Sequence, residues 1–421
     1  MRRSLSKTLA KVFLLAASLL LAEGTLQLAA TLSPAAEARL SGLKPRFIFD
    51  PRLGLRGDPS LPEYDAAGFR NASRPETVSL VAIGDSQTEG SGVARADAWP
   101  QQLALRLDRD VYQMAFGGYN AGQYLTLSSD ALSLDPRSVI VALYTGNDLA
   151  GMYNWVYEIG RNPELANQDP AVRDRLQHAE RERGPVDQTW RETRDAQRGL
   201  TDRPLLRFLH NYVAPRFKLV ALYKQLKFRL SEATAPIDAD SKDHSWEELQ
   251  AHFQGVSEDL LLPFEGRHVR TVLTPETRRV VQNVSDPRIE EGLRMSLAAL
   301  DQITERVGKR TSLYVMLIPT KELAFATAFG PDTDSDALRR LDVLVSDERE
   351  VRGTILRHLT NRGVRVIDPL PALVAALRAA DSDPSTTRAT IYPESADGHP
   401  AAAGHAAIAD AAAAALNAPR S

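Results

Sequence analysis

From Val78 onward the chain alternates between short continuous apolar runs and longer stretches whose apolar residues recur every three or four positions. Continuous runs bounded by turn residues read as buried strands, the 3.6-residue recurrence reads as helix, and their alternation is the pattern of a parallel α/β sheet. Strands are expected at Val78–Ile83, Val111–Met114, Ser138–Tyr144, Ser312–Ile318 and Val364–Asp368. Helices are expected near Trp99–Leu107, Ala121–Leu132 and Ile289–Val307, in a stretch reaching Arg362, and at Pro371–Ala379 and Ala401–Leu416. After Asp148 the alternation stops, and it returns only at Asp286. The pattern predicts a flavodoxin-like, doubly wound parallel five-stranded sheet built from residues 75–154 and 286–417, with a mainly helical insertion over 155–285 after strand three.

The N-terminal pattern is different. Arg2, Arg3, Lys7 and Lys11 precede the apolar run Val12–Ala22, the basic and apolar regions of a bacterial-type export signal. Leu20 stands where a cut after Ala22 needs a small residue, and a partly apolar continuation from Gly24 to Ala30 brings the length close to a bilayer span. Residues 1–31 are therefore expected to be an uncleaved inner-membrane anchor, with a cleaved signal peptide as the alternative. Both place the remainder outside the cytoplasm, on the periplasmic side.

Residues 32–74, with several prolines and Arg56-Gly57-Asp58-Pro59, read as an extended stem with little core. Inside the insertion, the mixed charges between Arg173 and Arg198 read as a solvated helical surface. Residues 216–230 place Leu219, Leu222, Tyr223, Leu226 and Leu230 on one helical face among lysines. That face is expected to dock on the core, with an anionic membrane surface near the anchor as the alternative.

Composition narrows the chemistry more than the fold. The 421 residues suffice for one large domain with an insertion or for two domains. A formal net charge of -3 and a pI near 6.3 give no electrostatic footprint for a nucleic-acid partner. The absence of cysteine excludes disulfides, thiolate metal sites and a cysteine nucleophile. No phosphate loop or dinucleotide glycine fingerprint is present.

In a parallel sheet the residues just beyond each strand share one edge, where α/β folds hold their ligands. Here they are Ser86 after strand one, Gly118 after strand two, Asn147 after strand three and Lys321 after strand four, with Asp397 and His399 in the last loop. A hydroxyl, a close-approach backbone N–H, a carboxamide and an imidazole two residues from a carboxylate are the groups that acyl transfer requires. Each residue has a plainer reading: Gly117-Gly118 as a tight turn, Asn147-Asp148 as a helix cap, Lys321 as an exposed strand-end cation. His405 reads as a structural residue of the last helix. Asp397, His399, His405 and Asp410 do not read as a metal site, because the last two fall on the helix that the first two precede.

The blocks Gly84-Asp85-Ser86, Gly118, Asn147-Asp148 and Asp397-Gly398-His399, in this order, resemble the GDSL/SGNH hydrolase family. The resemblance spans about 63–148 and 286–415, and with Gly68-Phe69-Arg70 and the anchor it looks like the membrane-tethered bacterial members. It implies Ser86 as nucleophile, His399 as general base and Asp397 as the group that holds the imidazole. The implied oxyanion donors are the Ser86 and Gly118 N–H groups and the Asn147 side-chain amide, and no cofactor or metal is implied. Thr145, Gln113 and Gln87 depart from the family's usual residues at their positions.

The expected function is an extracytoplasmic serine esterase that hydrolyses an acetyl or short-chain acyl ester of a small molecule or carbohydrate, with Lys321 contacting substrate. Pro319-Thr320-Lys321 resembles a strand-end motif of polysaccharide acetyltransferases, so an O-acyltransferase with the same triad is the alternative. A non-catalytic envelope scaffold is the third reading. Substrate identity and oligomeric state are not written in the sequence.

Overall fold

The computed structural model describes residues 2–33, 40, 46–182, 192, 205–206, 216–230, 246–253, 256–257, 260–308, 310–330, 341, 345–383 and 391–418. The chain divides into two compact units, one of residues 1–62 and 202–234, the other of residues 63–201 and 235–421.

The first unit holds a helix over Arg2–Leu32, whose segment Phe13–Leu32 has a mean hydropathy of 1.6 and is long and apolar enough to cross a membrane. A small antiparallel hairpin pairs Phe47–Asp50 with Gly54–Gly57. Lys218–Leu230 forms a second helix. The first N–H groups of any helix lack intrahelical partners. Here Glu23, on the N-terminal helix, supplies them: its carboxylate accepts the backbone N–H of Lys218 at 2.8 Å and of Leu219 at 2.9 Å. Gln27 braces the same corner through Glu23 Oε1 and the Arg216 carbonyl. On the apolar face of this second helix Leu219 is half-buried, while Leu222, Tyr223 and Leu226 are exposed.

The second unit is built on five parallel strands, which we label β1 (Leu80–Gly84), β2 (Val111–Ala115), β3 (Ser138–Tyr144), β4 (Ser312–Ile318) and β5 (Arg365–Ile367). Their order in the sheet is 2-1-3-4-5, with all neighbours parallel. That is the expected flavodoxin-like winding. Strands covered on both faces have no polar side, which is why Val139 to Leu143 read as an unbroken apolar run and are all fully buried.

The period-two alternation sorts the strand residues. Leu80, Ala82, Ile140, Ala142, Tyr144, Met316 and Ile318 share one core with residues of the helices Trp99–Leu107, Lys321–Phe329, Leu370–Ser382 and Ala402–Asn417. The 21-residue helix Pro287–Val307 packs with Ala121–Leu132 and Asp148–Tyr153.

Two expected boundaries move. The stem ends early: Asp65, Phe69, Arg70 and Asn71 are buried in the second unit. Asn71 pairs with the β2 backbone at Gln113 in both directions, and Tyr112 donates to Asp65. The insertion is also less separate than its polar composition suggests, and it holds a hairpin beside its helices. Leu262–Glu265 and Arg270–Leu273 form an antiparallel hairpin whose Leu262, Phe264 and Leu273 enter the main core. The next helix, Pro275–Gln282, reaches β3, where the Gln282 amide donates to the Thr145 carbonyl at 3.0 Å. The charged run is helical over Pro170–Arg181, and residues 183–198, apart from Glu192, lie outside the described residues.

Candidate active site

The chain leaves β1 through Gly84, where a Cβ would lie 2.1 Å from the Thr88 hydroxyl, so only glycine admits the turn into the next helix. Asp85 caps the short helix Ser86–Glu89 by accepting the Gln87 N–H at 2.9 Å. Ser86 is thereby held at the first helical position at the sheet edge, half-buried.

The other end of this helix is fixed by Arg70, whose side chain is 1% exposed. Its guanidinium donates to the Glu89, Gly90 and Val93 carbonyls and pairs with Glu63 at 2.5 Å. Of these carbonyls, that of Glu89 is one the helix end leaves without an intrahelical partner, and those of Gly90 and Val93 belong to the turn that follows. Glu89 in turn accepts the Gly117 N–H at 2.9 Å, tying the loop after β2 to the helix that carries Ser86.

The last loop comes to meet Ser86. His399 Nε2 lies 2.9 Å from Ser86 Oγ, and His399 Nδ1 lies 2.6 Å from Asp397 Oδ1, which also accepts the His399 backbone N–H at 3.0 Å. A hydroxyl, an imidazole and a carboxylate from opposite ends of the second unit thus form one hydrogen-bonded chain. Burial works to raise the Asp397 carboxyl, but the His399 charge, the two His399 hydrogen bonds and the Lys321 ammonium outweigh it and hold Asp397 well below the usual carboxylate range.

Gly118 and Asn147 lie at the same edge. Gly118 has φ +86°, a conformation that favours glycine, and is exposed. Neither its N–H nor that of Ser86 donates to an acceptor among the described residues. Asn147 opens the helix Asp148–Tyr153 yet makes no side-chain cap bond, so its amide is not used on the helix.

Lys321 requires a correction. It is fully buried rather than exposed to substrate, and its ammonium lies 2.7 Å from the Val272 and Asp397 carbonyls, 2.9 Å from the Ser395 carbonyl and 3.1 Å from the Thr271 hydroxyl. An ammonium has three N–H groups, and four acceptors surround these. A strand-end position and a positive charge suggested contact with substrate; in the fold, the hairpin 262–273 and the His399 loop close over it.

The departures from the resembled pattern are also accounted for, in part. Thr145 is fully buried, with its hydroxyl 2.5 Å from the Glu348 carboxylate, which also accepts the Thr320 N–H and hydroxyl, so the ends of β3 and β4 share one carboxylate. Gln113 donates to the Arg70 carbonyl at 2.6 Å. Gln87 is buried, and no contact of its side chain explains it.

Two further buried carboxyls flank the site. Burial pushes Asp85 up to about 7, against the Gln87 N–H and the His399 charge, and burial together with the Asp85 charge pushes Asp148 well above the usual range. Asp148 accepts from the Tyr124 hydroxyl and the Tyr144 N–H, each at 2.9 Å. His405 is structural: its Nδ1 accepts the Trp99 N–H. The last helix begins at Ala402, one residue later than expected, with Ala401 at its N-cap.

Sequence reasoning quoted Arg70 only within Gly68-Phe69-Arg70, without a role, and missed Glu89 and Arg278. Arg278 donates to Glu322 at 3.0 Å and to the Gly146 carbonyl at 3.3 Å, and a Cβ on Gly398 would meet its guanidinium at 2.7 Å. It therefore stands between the loop after β3 and the His399 loop.

Residues 82–256 match the GDSL-like lipase/acylhydrolase family, a stretch that includes Ser86, Gly118 and Asn147 and ends before Asp397 and His399. Among solved structures, that of a G-D-S-L family protein from Desulfitobacterium hafniense DCB-2 is similar at 12% identity, covering 80% of this chain and 98% of that chain with a TM-score of 0.30. No curated protein matches the chain.

Proposed function

We propose that this chain, which belongs to the GDSL/SGNH family of acyl-ester hydrolases and acyltransferases, is a serine esterase acting through a covalent acyl-enzyme. The observation that carries this reading is the hydrogen-bonded chain from Ser86 Oγ through His399 to Asp397.

In this reading the Ser86 hydroxyl attacks the ester carbonyl as its proton passes to His399 Nε2. Asp397 keeps the other ring proton on Nδ1 and stabilises the imidazolium as it forms. The Ser86 and Gly118 N–H groups, which have no acceptor among the described residues, and the Asn147 amide receive the oxyanion, where fixed donors act most strongly because they need no reorganisation. Collapse of the tetrahedral species expels the alcohol, which takes the proton back from His399. Water then repeats the sequence on the acyl-enzyme and releases the acid.

The substrate class is an acetyl or short-chain ester of a small molecule or carbohydrate. The apolar segment Phe13–Leu32 supports an extracytoplasmic enzyme anchored by its N-terminal helix. Hydrolysis is preferred to transfer because Lys321, central to the transferase reading, is enclosed and directs its donors at the protein backbone.

The test uses full-length protein in detergent with a fluorophosphonate probe and p-nitrophenyl acetate, beside Ser86→Ala. Expected are labelling and p-nitrophenol release that both vanish in the variant, and no increase on adding oligosaccharide acceptors. Acceptor-dependent turnover would establish transfer instead, and absence of Ser86-dependent labelling would leave a scaffold.

A further inference from the structure

We infer that Lys321 is a positioning residue of the esterase: its ammonium fixes the loop that carries Asp397 and His399, and so the distance between His399 Nε2 and Ser86 Oγ. The inference rests on the esterase reading above, and it concerns a side chain that touches neither the reacting serine nor any substrate.

The geometry is that of a clamp. Asp397 and His399 sit on a stretch without regular secondary structure, between Pro393 and Pro400, where no strand or helix ladder fixes the backbone. Two carbonyls of that stretch, Ser395 and Asp397, point at the ammonium. The other two acceptors, Thr271 and Val272, belong to the hairpin strand Arg270–Leu273. Lys321 itself begins the helix after β4, with Thr320 as its cap. One buried cation therefore joins the sheet edge, the hairpin and the His399 loop.

The hairpin adds its own bonds to the loop. The Val272 N–H donates to the Ser395 carbonyl, and Arg270 pairs with Glu394 at 3.0 Å. Charge-assisted bonds in a dry site are among the stronger ones, and removing the donor leaves several buried carbonyls without a partner. The loop would then relax, and a displacement of about 1 Å at a catalytic base can slow a reaction on the order of 100-fold.

The clamp also has a pH range. Burial lowers the Lys321 ammonium to about 8, partly offset by Glu322 and Asp397, with Arg278 acting in the same sense as burial. Among the described residues these three are the charged groups that act on it, from its own helix, the His399 loop and the helix Pro275–Gln282 respectively. Loss of the ammonium proton removes one donor from the cluster, so positioning weakens as pH rises through this range.

Full-length protein in detergent tests this with the rate of Ser86 labelling by a fluorophosphonate between pH 6 and 10, thermal unfolding in parallel, and the downfield proton resonance of the His399 Nδ1–H. Wild type is expected to lose rate above about pH 8. K321M is expected to label on the order of 100-fold more slowly, without that basic limb and without the downfield proton. K321R stays charged throughout, so its basic limb should move above the measured range, whereas a limb due to Asp85 or Asp148 would stay in place.

A folded K321M with the wild-type rate and proton resonance, or a basic limb unmoved in K321R, would overturn the inference. If K321M does not fold, the K321R profile decides. If wild type shows no Ser86-dependent labelling, the esterase reading fails by itself, and the Nδ1 proton in wild type and K321R still reports whether Lys321 holds the loop.

Discussion

Glu89 and Gly117 meet at 2.9 Å, carboxylate to backbone N–H, and this bond locks the loop after β2 against the helix that presents Ser86. A Cβ on Gly117 would come within 3.7 Å of the Ser86 Cβ, so any relaxation of that loop is felt at the serine. Its neighbour Gly118 carries one of the proposed oxyanion donors. Glu89→Ala is expected to lower kcat for p-nitrophenyl acetate on the order of 10- to 100-fold with a smaller change in KM. Glu89→Gln, whose amide oxygen can accept the same N–H, should keep most of the activity. Equal rates for Glu89→Ala and wild type would show that the bond does not hold the donor in place.

Asp397→Asn probes the carboxylate behind His399. An amide at that position removes the charge that stabilises the imidazolium and favours the wrong ring tautomer, so kcat should fall about 10⁴-fold while the fold persists. Steady-state kinetics beside circular dichroism checks this, and a loss smaller than about tenfold would remove Asp397 from the catalytic chain.

Arg70→Met should destabilise the protein without touching the reacting groups. The guanidinium is buried against three carbonyls and Glu63, and deleting one partner of such a cluster costs about 3–5 kcal/mol. Urea unfolding of the two proteins gives the difference directly; a midpoint unchanged in the variant would mean that the Glu89 to Val93 turn holds itself.

His405 predicts a pH dependence of stability. Its ring is fully buried, and burial, with the His399 and Arg70 charges, lowers it from 6.5 to about 3. Between those values the unfolded chain binds the proton and the native protein does not. Stability is therefore complete above the unfolded value and falls as pH drops through the window, by at most about 1.4 kcal/mol per pH unit. His405→Asn keeps an acceptor for the Trp99 N–H and should flatten this slope in urea unfolding at pH 5, 6 and 7. Parallel slopes for the two proteins would assign the acid sensitivity to other groups.

The sheet was legible because strand ends in a parallel sheet share an edge, which also places Ser86, Gly118 and Asn147 together; Asp397 and His399 follow no strand, and their pairing with Ser86 was implied by the resemblance to the GDSL/SGNH blocks. The residues around them were not legible. Arg70, Glu89 and Arg278 act by hydrogen bonds to backbone carbonyls and N–H groups far away in the chain, and such bonds leave no period or spacing. Lys321 was misread because charge alone suggests exposure, and only the hairpin over 262–273 reveals that it is enclosed. That hairpin was itself missed, since two four-residue strands in a polar segment are too short for alternation to stand out.

Truncation before residue 32, which removes the apolar helix, would delete Glu23 and leave the Lys218 and Leu219 N–H groups uncapped, a loss of roughly 1 kcal/mol at that helix. The exposed Leu222, Tyr223 and Leu226 would then sit on a frayed segment prone to self-association in the expression host. A fragment starting at Glu23 discards Phe13–Ala22 but keeps the cap, which makes residue 23 the better starting point for crystallisation.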